Sequence, residues 1–144
     1  MAVTVKRITL WQKEIENKAG TLAGTLEPLA KAGADLRIVM GYRYPGENTK
    51  AMVELYPVGN KKTTQAAQGA GLTASTISAL FVEGDNRPGL GHGIAQAMAE
   101  AGVNLDFLVA QVIGRKYSAV IGFENDADAI KASALIKKAA GKKK

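Results

Sequence analysis

The chain has 144 residues, of which 47% are apolar and 22% are charged, a balance typical of a folded globular protein and not of a disordered one. It contains no cysteine, which excludes disulfide bridges, thiolate catalysis and zinc–thiolate sites. No apolar run approaches the ~18 residues that span a bilayer, and the N-terminal segment lacks the apolar stretch of a signal peptide. We therefore expect a cytoplasmic protein with no membrane partner.

The formal net charge of +6 is concentrated near the C-terminus, where a lysine cluster carries as much charge as the whole chain's excess. Such a cluster can attract anionic surfaces, or it can be a solvated tail that complements the negative end of the preceding helix. We favour the solvated tail, because no aromatic or arginine pattern is interleaved with the lysines. The cluster consists of Lys131, Lys137, Lys138, Lys142, Lys143 and Lys144.

Hydrophobic periodicity predicts the order strand, helix, strand, strand, helix in the first half of the chain. The three strands are residues 3–11, 35–40 and 51–56. The first helix carries the apolar stripe Leu22, Leu26 and Leu29, and the second spans residues 60–71 with Asn60 as its cap. The second half repeats this order with strands at 77–83, 103–113 and 117–123, a helix through Leu90, Ile94 and Met98, and a last helix from Asn125.

The two halves match residue by residue, which predicts two copies of one small domain. Gly20 matches Gly89 at a spacing of 69 residues, and the spacing shortens by two near the third strand, where Val53 matches Val120. Each copy is too short for a dinucleotide-binding unit and fits the split βαβ plan. We predict an α+β fold of two ferredoxin-like βαββαβ repeats, residues 1–72 and 73–144, with antiparallel sheets and helices on one face.

Each half contains a glycine turn that leaves a strand and opens a helix, at residues 16–22 and 85–92. The first N–H groups of such a helix have no partner within it, and together with the helix dipole they favour a carboxylate or a phosphate. An ordinary capped turn has the same local sequence, so a single copy is weak evidence for a site. Two copies in register strengthen the prediction.

The second half resembles the ACT domain family. The resemblance rests on residues 85–90 (Asp-Asn-Arg-Pro-Gly-Leu), on Ile94 and Met98, and on residues 101–105 (Ala-Gly-Val-Asn-Leu). They resemble that family's acidic-x-Pro-Gly-hydrophobic turn, its helix, and its Gly-hydrophobic-Asn-hydrophobic entry to the second strand. The first half is similar, with Ala19 where the family favours proline and Asp35 where it favours asparagine.

The resemblance implies a free-standing, non-catalytic regulatory or sensor protein that acts allosterically. Its ligand would be an amino acid or similar small zwitterion, bound at the interface between paired ACT domains with no metal and no cofactor. A regulated protein partner and a homodimer are further implied partners. The implied ligand-binding residues are Asn86, Pro88, Gly89, Leu90, Asn104 and Leu105 in the second copy, and Asn17, Ala19, Gly20, Thr21, Asp35 and Leu36 in the first.

Three other functions remain open from the sequence. A nucleic-acid-binding module on the same plan would need aromatic residues on its central strands, and residues 77–82 and 109–113 lack the aromatic-glycine-aromatic pattern. A ligand-free protein–protein dimerisation module would have the same fold. The third is a small enzyme that uses His92, the only histidine, and general-base catalysis by that residue would require a carboxylate to orient it.

Overall fold

A computed structural model describes residues 3–46 and 48–141. Lys142, Lys143 and Lys144 of the predicted lysine tail lie outside the described residues. In chain order the elements are β1 (Val3–Ile8), β2 (Trp11–Glu16), α1 (Thr21–Lys31), β3 (Ile38–Arg43), β4 (Lys50–Tyr56), α2 (Lys61–Gly69), β5 (Thr73–Ala74), β6 (Ser78–Asp85), α3 (Leu90–Glu100), β7 (Leu105–Ile113), β8 (Lys116–Phe123) and α4 (Asp126–Gly141). Within the described ranges, no helix has the length and apolar character required to cross a membrane.

The strands form two antiparallel four-stranded sheets, ordered β3-β4-β2-β5 and β1-β6-β8-β7. The chain divides into two compact units accordingly. We call Thr9–Thr76 the continuous unit, and β1 together with the segment from Ile77 onward the split unit. The continuous unit is one βαββαβ motif, and the split unit has the same sheet order with β1 in the place of the last strand, so the predicted α+β fold of two ferredoxin-like repeats is confirmed.

The division between the units differs from the predicted boundary between residues 72 and 73. The predicted strand 3–11 is two strands, because the chain leaves β1 at Ile8 and enters β2 at Trp11 in the other sheet. β1 pairs with β6, so the N-terminal strand supplies the last strand of the split unit. The alternation of apolar residues runs through both strands, and neither Gly nor Pro marks the break.

The continuous unit packs α1 and α2 on one face of its sheet. Its core cluster consists of Leu29, Val53, Leu55, Ala67 and Leu72. The predicted cap of α2 is confirmed: the Asn60 side chain accepts a hydrogen bond from the Thr63 N–H at 2.8 Å, and the Thr63 hydroxyl accepts one from the Asn60 N–H. This cap offsets the weak apolar face of a helix rich in alanine and glutamine.

The split unit has the larger core, formed by helix residues and by alternate residues of β6 and β8. Ile94 and Met98 of α3 are fully buried, which confirms the predicted stripe. Tyr117, Ala119, Ile121 and Phe123 of β8 face the same core. The intervening residues of β8 therefore face the opposite side of the sheet.

The strand registers correct the predicted match between Val53 and Val120. Trp11 pairs with Leu55, and Leu80, which is the equivalent of Trp11 in the split unit, pairs with Ile121. Leu55 of β4 therefore corresponds to Ile121 of β8, at a spacing of 66 residues and not 67. A shift of one residue moves a side chain to the other face of a sheet. Val53 belongs with Ala119 on the helix side, and Ala51 belongs with Tyr117.

Candidate ligand-binding cleft

Both glycine turns begin a helix with the same backbone geometry. Gly20 (φ 92°) and Gly89 (φ 83°) adopt left-handed conformations just before α1 and α3, which are both 11 residues long. Only glycine adopts this conformation without strain, so both turns need it there. Neither helix has a side chain hydrogen-bonded to its N-terminus. The Thr21 and Leu90 amides donate to the Lys18 and Arg87 carbonyls at 3.4 and 3.3 Å, and the next two amides of each helix have no acceptor one turn back.

A cleft of about 200 Å³ opens beside the N-terminus of α1 in the continuous unit. Its apolar wall includes Leu22, whose Cδ2 atom lies 3.7 Å from the position of a Cβ built on Gly41. Gly41 lies on the edge strand β3, where the missing side chain leaves room between α1 and the sheet. The cleft is lined by Ile15, Glu16, Asn17, Lys18, Thr21, Leu22, Gly41, Tyr42, Arg43, Ala51, Met52 and Val53.

Two residue differences between the units explain this cleft. Thr21 at the start of α1 corresponds to Leu90 of α3, and Ala51 of β4 corresponds to Tyr117 of β8. Leu90 is 3% exposed and Tyr117 is 5% exposed, and both belong to the core of the split unit. The two larger side chains fill the end of the split unit that the smaller Thr21 and Ala51 leave open in the continuous unit.

Polar groups at the rim of the cleft are arranged around Thr21. The Thr21 hydroxyl lies 2.7 Å from the Glu16 carbonyl oxygen and 2.9 Å from that of Lys18, so it donates to the turn and leaves its own lone pairs free. The Lys18 ammonium lies 3.2 Å from the Glu16 carboxylate, with both side chains exposed. Arg43 approaches the Asn48 side chain at 3.4 Å.

The amides of the first turn of α1 add hydrogen-bond donors to this rim. The first bond within the helix runs from the Gly24 N–H to the Gly20 carbonyl at 2.9 Å. The Leu22 and Ala23 amides precede it and have no acceptor one turn back. They offer donors at the positive end of the helix dipole, which favours an anionic group such as a carboxylate.

The structure brings together some of the predicted residues of the first copy. Asn17 and Thr21 line the cleft, while Ala19 and Gly20 form the turn without lining it. Asp35 and Leu36 lie elsewhere, in the segment that connects α1 to β3. The Asp35 carboxylate is 3.9 Å from Arg37, and Leu36 packs partly against the core.

The predicted residues of the second copy surround a filled helix start. The Asn86 N–H donates to the Arg115 carbonyl at 2.8 Å, Leu90 is buried in the core, and Leu105 packs partly against that core at the start of β7. Pro88, Gly89 and Asn104 are exposed. His92 is exposed in the first turn of α3.

Strands β3 and β4 contribute residues to the cleft that were not predicted from the sequence. Gly41 directly follows the predicted strand 35–40 and was an available signal, because a strand glycine often marks a close approach. Arg43 and Met52 carry no such signal, since their place depends on the register between β3 and β4. A larger cavity of about 370 Å³ shares Ile15, Glu16 and Thr21 with the cleft and is lined by Lys13, Glu14, Ile15, Glu16, Thr21, Gly24, Thr25 and Ala70.

No protein-family model matches the sequence, and no curated protein matches it. Solved structures do match. The regulatory subunit of aspartate kinase from Thermus thermophilus aligns with a TM-score of 0.64 and 16% identity, over 97% of this chain and 95% of that one. The chain has an ACT-type fold.

Two further structures share this fold over nearly the whole chain. A protein from Bacteroides thetaiotaomicron aligns with a TM-score of 0.74 and 17% identity, covering 93% of this chain and 89% of the other. A putative C-terminal regulatory domain of aspartate kinase from Porphyromonas gingivalis aligns at 0.62 and 11% identity, covering 98% and 97%. The ACT-type architecture extends over both units.

Proposed function

We propose that this ACT-type chain is a non-catalytic regulatory protein that binds an amino acid or similar small zwitterion. The ligand would occupy the cleft that Thr21 lines beside the N-terminus of α1. The observation that carries the proposal is the replacement of Leu90 and Tyr117 by the smaller Thr21 and Ala51 at equivalent positions. It leaves an open space beside free helix amides in the continuous unit. The similarity to regulatory subunits of aspartate kinase supports a regulatory role for the same architecture.

The cleft has the chemistry that a zwitterion requires. The Leu22 and Ala23 amides, with the cations Lys18 and Arg43 nearby, would hold a carboxylate. The Glu16 carboxylate at the same rim would attract an ammonium group. Its volume of about 200 Å³ lies below the range of drug-sized pockets and suits a molecule of amino-acid size.

Ligand binding would act on a protein partner through the glycine turn. Thr21 connects the cleft to the turn, because its one hydroxyl proton lies within hydrogen-bond reach of the Glu16 and Lys18 carbonyls on either side of Asn17. Asn17 in turn donates from its backbone N–H to the Thr49 carbonyl at 2.9 Å and from its side chain to the Asn48 carbonyl at 3.0 Å. A ligand that orders this network stabilises one arrangement of the adjoining loop, and a partner that recognises the loop would respond.

The test is calorimetric titration of the full chain with each of the twenty amino acids, paired with thermal unfolding. A true ligand at 100 times its dissociation constant stabilises the fold by about 2.7 kcal/mol, which raises the Tm by roughly 10 °C. Failure of every amino acid to bind or stabilise the chain would contradict the proposal.

Matched variants locate the site. Thr21→Leu copies the residue of the split unit into the cleft and should abolish binding while the fold is kept. Asn104→Ala changes an exposed residue of the other predicted site and should leave the affinity unchanged. The reverse result, with binding lost only in Asn104→Ala, would assign the ligand to the split unit.

A further inference from the structure

The layer between α1 and β2 of the continuous unit is polar where the split unit has core residues. Lys13 occupies the position in β2 that Val82 occupies in β6, because the two residues lie opposite equivalent residues of the neighbouring strand. Thr25 is the fifth residue of α1, and Ile94 is the fifth residue of α3. Val82 and Ile94 are buried in the core of the split unit. Lysine rarely replaces such a residue unless its charge has a partner.

The larger cavity of about 370 Å³ lies at these polar replacements. Lys13 and Thr25 both line it, and it adjoins the proposed ligand-binding cleft at Thr21. Thr21 and Thr25 are one helical turn apart, which is about 6 Å along α1. A ligand that binds in the cleft by its α-amino and α-carboxyl groups can therefore extend a side chain of a few atoms into the cavity.

The Lys13 ammonium is held in place and has donors to spare. It donates to the Ala70 carbonyl at 2.8 Å, at the C-terminal end of α2. The Lys13 Cε atom lies 3.3 Å from the position of a Cβ built on Gly71, so the lysine stem packs closely against the chain there. An ammonium group has three N–H donors, and Ala70 accepts from one of them. Among the residues that the structure describes, no carboxylate forms an ion pair with Lys13.

The two acidic residues that line the cavity do not neutralise Lys13. The Glu16 carboxylate lies 3.2 Å from the Lys18 ammonium at the rim of the cleft. Glu14 alternates with Lys13 along β2, so its side chain leaves on the opposite face of the sheet. There, burial and then the Glu14 carboxylate raise the pKa of the Tyr44 hydroxyl. Lys13 is therefore the charged group that the cavity offers to a ligand.

We propose that the ligand is an amino acid whose side chain ends in a second carboxylate, and that Lys13 binds this carboxylate in the larger cavity. The inference rests on the proposed function, because the α-amino and α-carboxyl groups of the same ligand would occupy the cleft. The attraction between an ammonium and a carboxylate is stronger in a half-buried site than in bulk water. An apolar side chain would leave the ammonium donors unpaired, and a cationic one would be repelled. Lys13 thus selects the dicarboxylic class.

Calorimetric titration of the full chain tests this selection. The dicarboxylic probes are L-aspartate, L-glutamate and L-α-aminoadipate, which place the second carboxylate at increasing distances from the α-carbon. The comparison ligands are L-glutamine, which has an uncharged side chain, L-norleucine, which is apolar, and L-lysine, which is cationic. We expect at least one dicarboxylic amino acid to bind at least tenfold more tightly than every comparison ligand.

Variants of Lys13 assign the selection to its charge. Lys13→Met keeps the aliphatic stem, and it should lower the affinity for the preferred acid at least tenfold without lowering that for L-norleucine. Lys13→Glu reverses the charge and should transfer the preference to L-lysine, a gain of binding that also shows that this variant is folded. Lys31→Met, which removes an exposed ammonium in the last turn of α1, is the matched control and should leave every affinity unchanged.

The outcomes separate this inference from the proposed function. If no amino acid binds, both fail. If an amino acid binds but L-norleucine or L-lysine binds as tightly as the dicarboxylic ligands, the proposed function stands and the dicarboxylic class is wrong. If Lys13→Met binds the preferred acid as tightly as the unmodified chain does, the role of Lys13 is overturned.

Discussion

Tyr117 of β8 occupies the position that Ala51 occupies in the other sheet, and its ring fills the core beside the first turn of α3. The Tyr117 hydroxyl oxygen lies 3.8 Å from the position of a Cβ built on Gly91. It is buried and has no hydrogen-bond partner among residues 3–46 and 48–141. At the place where the continuous unit has a cleft, the split unit therefore has the packed Tyr117 ring, whose hydroxyl is unsatisfied.

Tyr117→Phe should leave the chain as stable as before or more stable, by up to about 1 kcal/mol. The change keeps the ring in the core and removes a buried hydroxyl that no described residue satisfies. Tyr117→Ala is the contrasting variant, and it should cost about 3–5 kcal/mol because it deletes the buried ring. Chemical denaturation measures both effects, and a loss above 1 kcal/mol in Tyr117→Phe would indicate that the hydroxyl has a partner.

Tyr42→Phe should have the opposite effect. The Tyr42 hydroxyl donates to Glu54 Oε2 at 2.9 Å, and Glu54 is only 1% exposed. The other oxygen, Oε1, has no partner within the described part of the chain. Removing the hydroxyl leaves the buried carboxyl without its donor, so we expect a loss of about 2 kcal/mol. The double variant Tyr42→Phe/Glu54→Leu removes both partners, so it should recover much of the lost stability. A double variant that is as destabilised as Tyr42→Phe alone would contradict this account.

Stability should fall at alkaline pH. Burial and the neighbouring Glu54 carboxylate raise the pKa of Tyr42, and burial raises the pKa of Tyr117. Because the pKa is higher in the folded state, the neutral tyrosine hydroxyls contribute their full stabilisation below the unfolded tyrosine pKa of about 10. This stabilisation is lost as the pH rises through the folded-state pKa. The free energy of unfolding should therefore decline above pH ~10. A denaturation series across that range checks it, and Tyr117→Phe should show a smaller decline.

How far the sequence predicts this structure depends on how local each signal is. The stripe through Ile94 and Met98 is local to one helix, and the Asn60 cap involves residues three apart, so both were predicted from the sequence. The exchange of β1 into the split unit was not, because it depends on which distant strand Val3–Ile8 pairs with. Periodicity reports the face of a strand, not its partner.

The candidate cleft has the same limit. Gly20 and Thr21 belong to a recognisable turn, and that turn does begin a helix beside the cleft. Ala51 opens the cleft because its side chain is only a methyl group, and this becomes apparent only when β4 and β8 are aligned in register. An alignment shifted by one residue compares Ala51 with Ser118, which faces the other side of its sheet, and hides the difference.

Gly122→Ala should destabilise the split unit by about 1–3 kcal/mol. A Cβ at position 122 would lie 2.2 Å from the Phe107 Cε2 atom, so the ring would have to move. Phe107 lies opposite Gly122 across β7 and β8, next to an irregularity in the register. Phe107→Leu should relieve the clash. A double-mutant cycle by chemical denaturation should then show a coupling of about 1 kcal/mol, whereas additive effects would contradict a direct contact.

Arg87→Ala should loosen the end of α4 and cost about 1–2 kcal/mol. The Arg87 guanidinium donates to the Ala139 carbonyl at 2.8 Å and to the Ala140 carbonyl at 3.0 Å, so it joins the glycine turn to a helix C-terminus. Two such bonds satisfy carbonyls that have no partner within the helix and place a cation at its negative end. Arg87→Lys should recover only part of the loss, because an ammonium group cannot reproduce the planar fork.

Lys131→Ala, which removes one exposed hydrogen bond to the Ala101 carbonyl, is the control and should change stability by less than about 0.5 kcal/mol. Hydrogen exchange should show faster amide exchange in the last turn of α4 for Arg87→Ala alone, and equal exchange in both variants would remove Arg87 from this role.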